Sequence, residues 1–530
     1  MGRTVAGTIP NQVIAGIAKP VWGSDVLMLI AGPAWTAKAD SPQDTGRQPL
    51  AVEGVTASHA GELIPGVITT TPHARYLSLH AAVAVQAQRR GWSSSADRTA
   101  FHQLLRRAEV VLAAVSVQHA IADPADHHRH GGDRGPHGVN AVKRWNQRHD
   151  RLDIAAVADV YSNSDDGFYG TYSGIESVLG LVERDTVPAP GPAATAGDLA
   201  VVDEVIQLAD TSGWLSAADL DQLVDLCLCR VGSAEDGACL RRAFFGLPDQ
   251  ATEVTTVHRL SAGVLIAALT GQETGGNADL LMDRLCCFTP DLTAVLPAAD
   301  LHNHALRWRG ALLRNWSVWA WRMLWATLVD PLQQPGTRAD ATASFVAGLP
   351  GDTVQHALID QLPPLTDGHG ALLPAEHDLN DAVDDRWSVL QLLQLLAVGA
   401  QRLDHLDGGS RDAFLRSDLP GLGPTWVRSW LERHAARPLP AAAASLADEL
   451  FSRAETVSRQ KMQWTRTGLR MPTRLRTVGD QLRLEGREGY GSASLRLDTF
   501  TSMLHQLGVL SMSADGTRWM RGPYERQERP

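Results

Sequence analysis

DRTAFHQLLRRAEVVLAAVSVQHAIA, residues 97–122, decides the fold class. Leu104, Leu105, Ala108, Val111 and Leu112 recur in it at three- and four-residue steps, the spacing that lines one face of an α-helix. Ser95 or Asp97 supplies a capping oxygen at its start. The same period recurs on either side. Apolar and small residues dominate from Tyr76 to Gln88, and a further helix is expected from Leu152 to Tyr161. Ser216 caps a helix expected to run to about Val231, with Leu220, Leu223, Val224 and Leu226 on its apolar face. Val257 to Leu269, Ala305 to Val329, Asp384 to Val398, Trp426 to His434 and the alanine run ending near Arg459 complete the set. The pattern predicts a mainly α, multidomain helical protein with a C-terminal winged-helix-like α+β module.

A chain of 530 residues exceeds what one compact core organises, so about three domains are expected. Residues 1–74 form an irregular N-terminal segment, rich in Gly, Pro and Thr up to about residue 65. Residues 75–184, 198–330 and 331–445 read as helical domains, and 446–530 as a basic terminal one. Asp185 to Gly197, with Pro188, Pro190 and Pro192 among alanines, reads as a linker. Residues 123–140 read as an exposed loop.

Charge separates the last segment from the rest. Residues 451–530 hold 14 Lys and Arg against 8 Asp and Glu, whereas residues 1–450 hold 34 against 51. A phosphate backbone is attracted to the first and repelled by the second. No span offers the ~20 uninterrupted apolar residues a bilayer requires, because Arg307, Arg309, Arg314 and Arg322 interrupt the nearest candidate. Met1 to Pro20 lacks a signal-peptide pattern, and five cysteines are an odd set for a disulfide framework. A cytoplasmic protein without membrane contact is expected.

In the terminal module, Leu497, Phe500, Leu504 and Leu507 mark one helix face that Gly508 stops. Val509 to Met512, the turn Ala514-Asp515-Gly516, and Thr517 to Arg521 read as a hairpin. Helix plus two-stranded wing outlines a winged helix, whose helix enters a DNA groove while basic side chains hold phosphate. That places Thr499, Ser502, His505 and Gln506 outward, with phosphate contacts from Arg470, Arg474, Arg476, Arg483, Arg487, Arg496, Arg518 and Arg521. Docking on protein is the competing role for such a module.

The remaining motifs predict no catalytic residue, no cofactor and no metal. His127, His128, His130 and His137, with Asp123, Asp126 and Asp133, sit in the expected loop, where ligands lack a rigid frame and match no zinc spacing. Cys227-Leu-Cys229 is C-x-C inside an expected helix rather than a C-x₂-C knuckle, so it reads with Cys239, Cys286 and Cys287 as buried thiols. Trp308, Trp316, Trp319, Trp321 and Trp325 fall on more than one helix face, which favours a core with arginines reaching out to solvent over stacking on bases. His302-Asn303-His304 lacks the hairpin of a nuclease motif, and His356, His377, Asp378 and Asp404 only echo a phosphohydrolase pattern. Phosphate-loop and nucleophile-elbow motifs are missing.

Gly61 to Tyr76 (GELIPGVITTTPHARY), followed at once by an apolar helix, resembles the opening of an uncharacterised bacterial family associated with defence loci. Asp159 to Gly174 (DVYSNSDDGFYGTYSG) is similar to that family's aromatic-rich stretch, and Arg453 to Leu484 with Phe500 to Leu510 to its basic segment and winged helix. Family members' genes lie beside helicases, methyltransferases and phospholipase-D-like nucleases. The resemblance implies a non-catalytic subunit of an antiviral defence or DNA-modification complex, with subunits of those types and DNA or RNA as partners. A transcription regulator, or an enzyme with a scattered site, are the alternatives.

Overall fold

The computed structural model describes residues 48–524, except 130–133, 195–197, 212, 248–250, 271–276, 384–385, 417–420, 466–467, 471–472 and 489–492; at 129, 463–465 and 468–470 it describes the backbone alone. Residues 1–47, His130, Asp133 and the Arg470 side chain therefore lie outside what is described below. The fold is mainly α. Every sheet among the described residues is an antiparallel pair of short strands.

The helix anticipated at 97–122 spans Ser95–Ala122, about 42 Å long at 1.5 Å per residue. Ser94 caps it: its Oγ accepts from the Asp97 backbone N–H, and Asp97 Oδ2 accepts from the Ser94 N–H at 2.9 Å. Asp123 ends it and Pro124 starts the next helix, Pro124–Arg129. Phe101, Leu105, Ala108, Leu112 and Val115 are fully buried on it, packed toward the helices Asp203–Thr211 and Ile154–Tyr161.

Contacts divide the chain into two compact units. The larger gathers residues 52–324, 348–439 and 490–530, and the smaller 1–51, 325–347 and 440–489. The expected linker at 185–197 does not separate one core from another. Its prolines enter a hairpin, Val182–Glu183 with Ala189–Pro190, which lies on the helix Arg75–Arg89. Gln86 reaches Asp203 from that helix at 3.3 Å, so elements from both sides of the proline run share one interior. Pro is tolerated there because a strand edge needs no donor.

In the smaller unit Trp325 meets Phe451 edge-on at 5.7 Å, and Arg338 pairs with Glu455 at 3.1 Å. The strands Leu475–Val478 and Gln481–Leu484 form a hairpin in which Leu482 and Leu484 are buried while Arg483 faces out, the period-two alternation of a half-buried strand.

The terminal helix Leu497–Gln506 lies in the larger unit and stops as expected. Gly508 takes φ +73°, its N–H donates to His505 O, and the Val509 N–H reaches back to Leu504 O at 2.9 Å. The strands Leu510–Met512 and Trp519–Arg521 follow as a hairpin. Among the described residues no helix lies between Leu484 and Leu497 to supply the first half of a helix-turn-helix.

The polar face of that helix departs most from the sequence reading. Thr499, His505 and Gln506 are buried rather than outward. Gln506 Nε2 donates to Pro72 O at 2.9 Å, its Oε1 accepts from the Ala74 N–H at 2.9 Å, and Ser502 Oγ donates to Pro72 O. His505 lies edge-on to Trp519 at 5.2 Å. Ser502 and Gln506 thus bond the backbone of residues 72–74, while Thr499 and His505 are buried rather than presented to a groove.

Candidate metal centre

Two pairs of residues, far apart in sequence, converge in the larger unit. His119 stands in the last turn of Ser95–Ala122, and His127 on the short helix beyond the Asp123-Pro124 break. Asp123 Oδ1 accepts from the Asp126 N–H at 3.1 Å, which folds the chain back and brings the two imidazoles to one side.

The cysteines come from a segment expected to be helical. The helix from Ser216 ends at Gln222 instead, and two 3₁₀ turns follow, Val224–Leu226 and Leu228–Ser233. Cys227 between them is extended (φ −59°, ψ 145°). The chain bends at this residue, which ends one 3₁₀ turn and opens the next, and the bend brings the Cys227 and Cys229 sulfurs together.

Four donor atoms meet there. His127 Nδ1 lies 3.4 Å from Cys227 Sγ, His119 Nδ1 3.4 Å from Cys229 Sγ, the two Nδ1 atoms 3.4 Å apart and the two sulfurs 3.5 Å apart. All four fall within 4.8 Å of one another, and all four residues are buried. Zinc bonds of about 2.3 Å to sulfur and about 2.0–2.1 Å to nitrogen give a tetrahedron with edges of roughly 3.3–3.8 Å. Four of the six donor–donor separations match those edges, and the other two lie within 4.8 Å. Two thiolates with two imidazoles also form the borderline-soft set that suits Zn²⁺. Four protein ligands leave no position for water or substrate, the mark of a structural site. Among the described residues this is the one group of His, Cys, Asp and Glu with that reach.

Burial alone pushes the Cys227 thiol up, but hydrogen bonds from Cys229 and His127 outweigh it and hold it well down. The same contact, with burial, pushes Cys229 up. A divalent cation between the sulfurs would favour ionisation of both thiols.

An outer layer fixes these ligands. Asp126 Oδ2 lies 3.1 Å from His119 Nε2 and 2.6 Å from Arg230, placing a carboxylate behind a ligating imidazole. Leu228 N–H donates to Ser116 Oγ on the long helix at 3.2 Å. Arg75 clamps the cysteine segment: its Nη1 donates to Asp225 O and Cys227 O, each at 2.6 Å. Asp236 holds the same guanidinium through both oxygens at 3.1 and 3.0 Å, and Ser78 donates to Asp236 at 2.8 Å. Arg75 and Asp236 are fully buried.

A second buried polar group adjoins the same helices. His80 bridges Glu176 at 2.6 Å and Glu109 at 2.9 Å, and the Tyr76 and Tyr161 hydroxyls meet at 3.0 Å. Burial opposes a charge on His80, yet the two carboxylates raise it to about 9.

The structure disperses most other residues singled out from sequence. His137 stacks on Phe168 at 4.4 Å, and His128 is exposed, so neither joins the metal set. His377 pairs with Asp283, His356 with Asp360 and Asp404 with Arg428, so the phosphohydrolase echo does not assemble. Trp308, Trp321 and Trp325 are core, but Arg314 of the same helix is buried rather than solvent-facing. Of the expected phosphate contacts, Arg476 is buried against Glu485, Arg474 lies by Glu488, and Arg496 donates to Val67 O. Arg521 is half-buried; Arg483, Arg487 and Arg518 are exposed. No helix among the described residues is long and apolar enough to cross a membrane.

No family model matches the chain, and no curated protein or solved structure is similar enough to count as a match.

Proposed function

We propose that this chain is a zinc-stapled helical scaffold, a non-catalytic subunit of a bacterial antiviral defence or DNA-modification complex. One observation carries the scaffold role: the enclosed His119, His127, Cys227 and Cys229 set, whose four ligands leave the ion no open position. The metal holds the end of the long helix Ser95–Ala122, and the turn after it, to a segment 100 residues on, which is a framework role. The setting rests on the resemblance of residues 61–76 to the defence-locus family, whose Arg-Tyr signature supplies the Arg75 clamp. Partners of helicase, nuclease or methyltransferase type follow from the same resemblance.

Contact with DNA or RNA falls to exposed arginines of the smaller unit, Arg483 and Arg487, rather than to the terminal helix. The charge surplus of residues 451–530 supports this. The transcription-regulator alternative loses its base-reading residues, since Ser502 and Gln506 bond to Pro72.

Native mass spectrometry of protein purified from zinc-supplemented cells, paired with elemental analysis, tests the first claim. One zinc per chain is expected. Metal-free, fully folded protein that takes up no zinc on titration overturns it. For the second, binding to duplex and single-stranded DNA and RNA across a salt series is expected to weaken steeply as salt rises.

A further inference from the structure

Away from the metal centre, the larger unit holds a cavity of about 400 Å³, walled by two helices and a short third. Asp279 and Asp283 lie four apart on Ala278–Phe288, and Trp316 and Trp319 three apart on Ala299–Val329; each pair shares a helix face. His377 and Asn380, from Ala375–Asp381, close the third side.

Like charges at four-residue spacing repel, so an aspartate pair facing one cavity is unfavourable without a compensating group. Some of the compensation is present. Asp283 Oδ2 lies 2.6 Å from His377 Nε2 and accepts from the Trp316 indole N–H at 3.4 Å. The rest is not. Asp283 is only 4 % exposed, yet its Oδ1 has no hydrogen-bond partner, and Asp279 Oδ1 is likewise buried and unpaired. The neighbouring Cys287 thiol reaches Arg309 O at 3.8 Å and lies close enough to Asp283 to serve it only as a weak donor. Burial, with Asp498 and Asp283 close by, pushes the Asp279 carboxyl up to about 7, so a third carboxylate adds to the negative field. A buried carboxylate oxygen without a donor costs about 1–3 kcal/mol or more, and such a cost is removed when a donor enters.

The walls define that donor. Trp316 and Trp319 are half-buried and meet edge to face at 6.3 Å, and Trp316 stands over His377 at 5.4 Å. Indole faces attract cations and apolar carbon alike. A metal ion fits less well, because the reach needed to ligate one is met, among the described residues, only by the cysteine–histidine set.

We propose that this cavity binds an organic cation, whose ammonium or guanidinium group inserts between Asp279 and Asp283 while its carbon chain lies against Trp316 and Trp319. The group comes either from a free alkylamine or from an arginine or lysine side chain of a partner.

Isothermal titration calorimetry of the full-length, zinc-loaded protein with n-butylammonium and agmatine, at low salt, tests this. Saturable binding at one site is expected, weakened at least tenfold in Asp283→Asn and in Asp279→Asn. Asp279 is half-buried, so its amide variant retains the fold, which an unchanged melting temperature verifies. Absence of saturable heat with both amines, undiminished binding in folded Asp279→Asn, or equal binding of neutral n-pentanol overturns the proposal. Tighter binding of a capped arginine peptide than of agmatine assigns the site to a partner's side chain, and the reverse order to a free amine.

Discussion

Removing the metal is expected to lower the melting temperature of the larger unit by about 6 °C. The ion ties His119 and His127 to Cys227 and Cys229, and the cross-linked residues lie 100 apart for His127 and Cys227. Treated as a cross-link of that loop length, it restricts the unfolded chain by about 5 kcal/mol. Unfolding entropy of about 2.1 cal/mol/K per residue over a unit of about 400 residues converts this to about 6 °C. The assay is differential scanning calorimetry of wild type and Cys229→Ser, each with and without a tight chelator, with zinc counted in the same samples. Wild type should fall on chelation and lose one zinc. Cys229→Ser should start lower and not respond, because its metal is already absent. The variant alone is ambiguous, since a hydroxyl in place of a buried thiol has its own desolvation cost. The chelator response is not. If wild type holds one zinc yet melts at the same temperature after losing it, the ion does not staple this fold and the reasoning fails.

Arg75→Ala should destabilise the protein by about 3–5 kcal/mol, because it strands the fully buried Asp236 carboxylate, and it should speed zinc transfer to a competing chelator; an unchanged zinc off-rate would separate Arg75 from the metal segment. Stability measured by urea unfolding should decline as pH rises from about 6.5 through about 9, by up to about 3 kcal/mol. The sign follows from His80: its folded value of about 9 exceeds the unfolded 6.5, so its contribution is complete below 6.5 and lost above 9. His80→Gln should flatten that slope, and a slope that persists would assign it elsewhere. Gln506→Ala should cost about 1–3 kcal/mol by leaving the Ala74 N–H unbonded, with no change in nucleic-acid affinity. Arg483→Ala with Arg487→Ala should leave the melting temperature alone and reduce the salt slope of DNA binding by up to about 2; loss of DNA binding in Gln506→Ala at full stability would restore the helix as a reader.

The helices were legible because their signals are local. Ser95–Ala122 announces itself through a 3.6-residue period, a capping oxygen within one residue of the expected position, and the Asp-Pro break at its end. Gly508 likewise ends its helix where only a residue tolerant of positive φ fits the turn. The metal centre was not legible, and the obstacle was one wrong element. Extending the Ser216 helix to Val231 turned Cys227 and Cys229 away from each other, and C-x-C lost its meaning. Leu223 and Val224 keep a helical apolar spacing through the very residues where the chain leaves the helix, so periodicity misled there. His119 gave no separate signal, as a lone histidine near a helix end with its ligand partners 8 and 110 residues away. The usable clue was the break itself: a helix ending in histidine, a proline turn, and a histidine on the returning segment.

The terminal helix shows a different limit. Its apolar stripe was read correctly, yet a polar side chain opposite such a stripe has two uses that sequence does not separate. It faces water, or it completes another segment's backbone. Gln506 does the second, bonding both Pro72 O and the Ala74 N–H. One residue further on, Arg75 grips the carbonyls of Asp225 and Cys227. Residues 72–75 thus carry bonds to the terminal helix on one side and to the metal segment on the other. Gly232, just past the cysteines, tightens the junction, because a Cβ there would lie 2.5 Å from Gln506 O. Residues 72–75 are therefore the splice between the cysteine segment and the chain's last helix, and no other side chain matches Arg75 in spanning two carbonyls and a bidentate carboxylate at once.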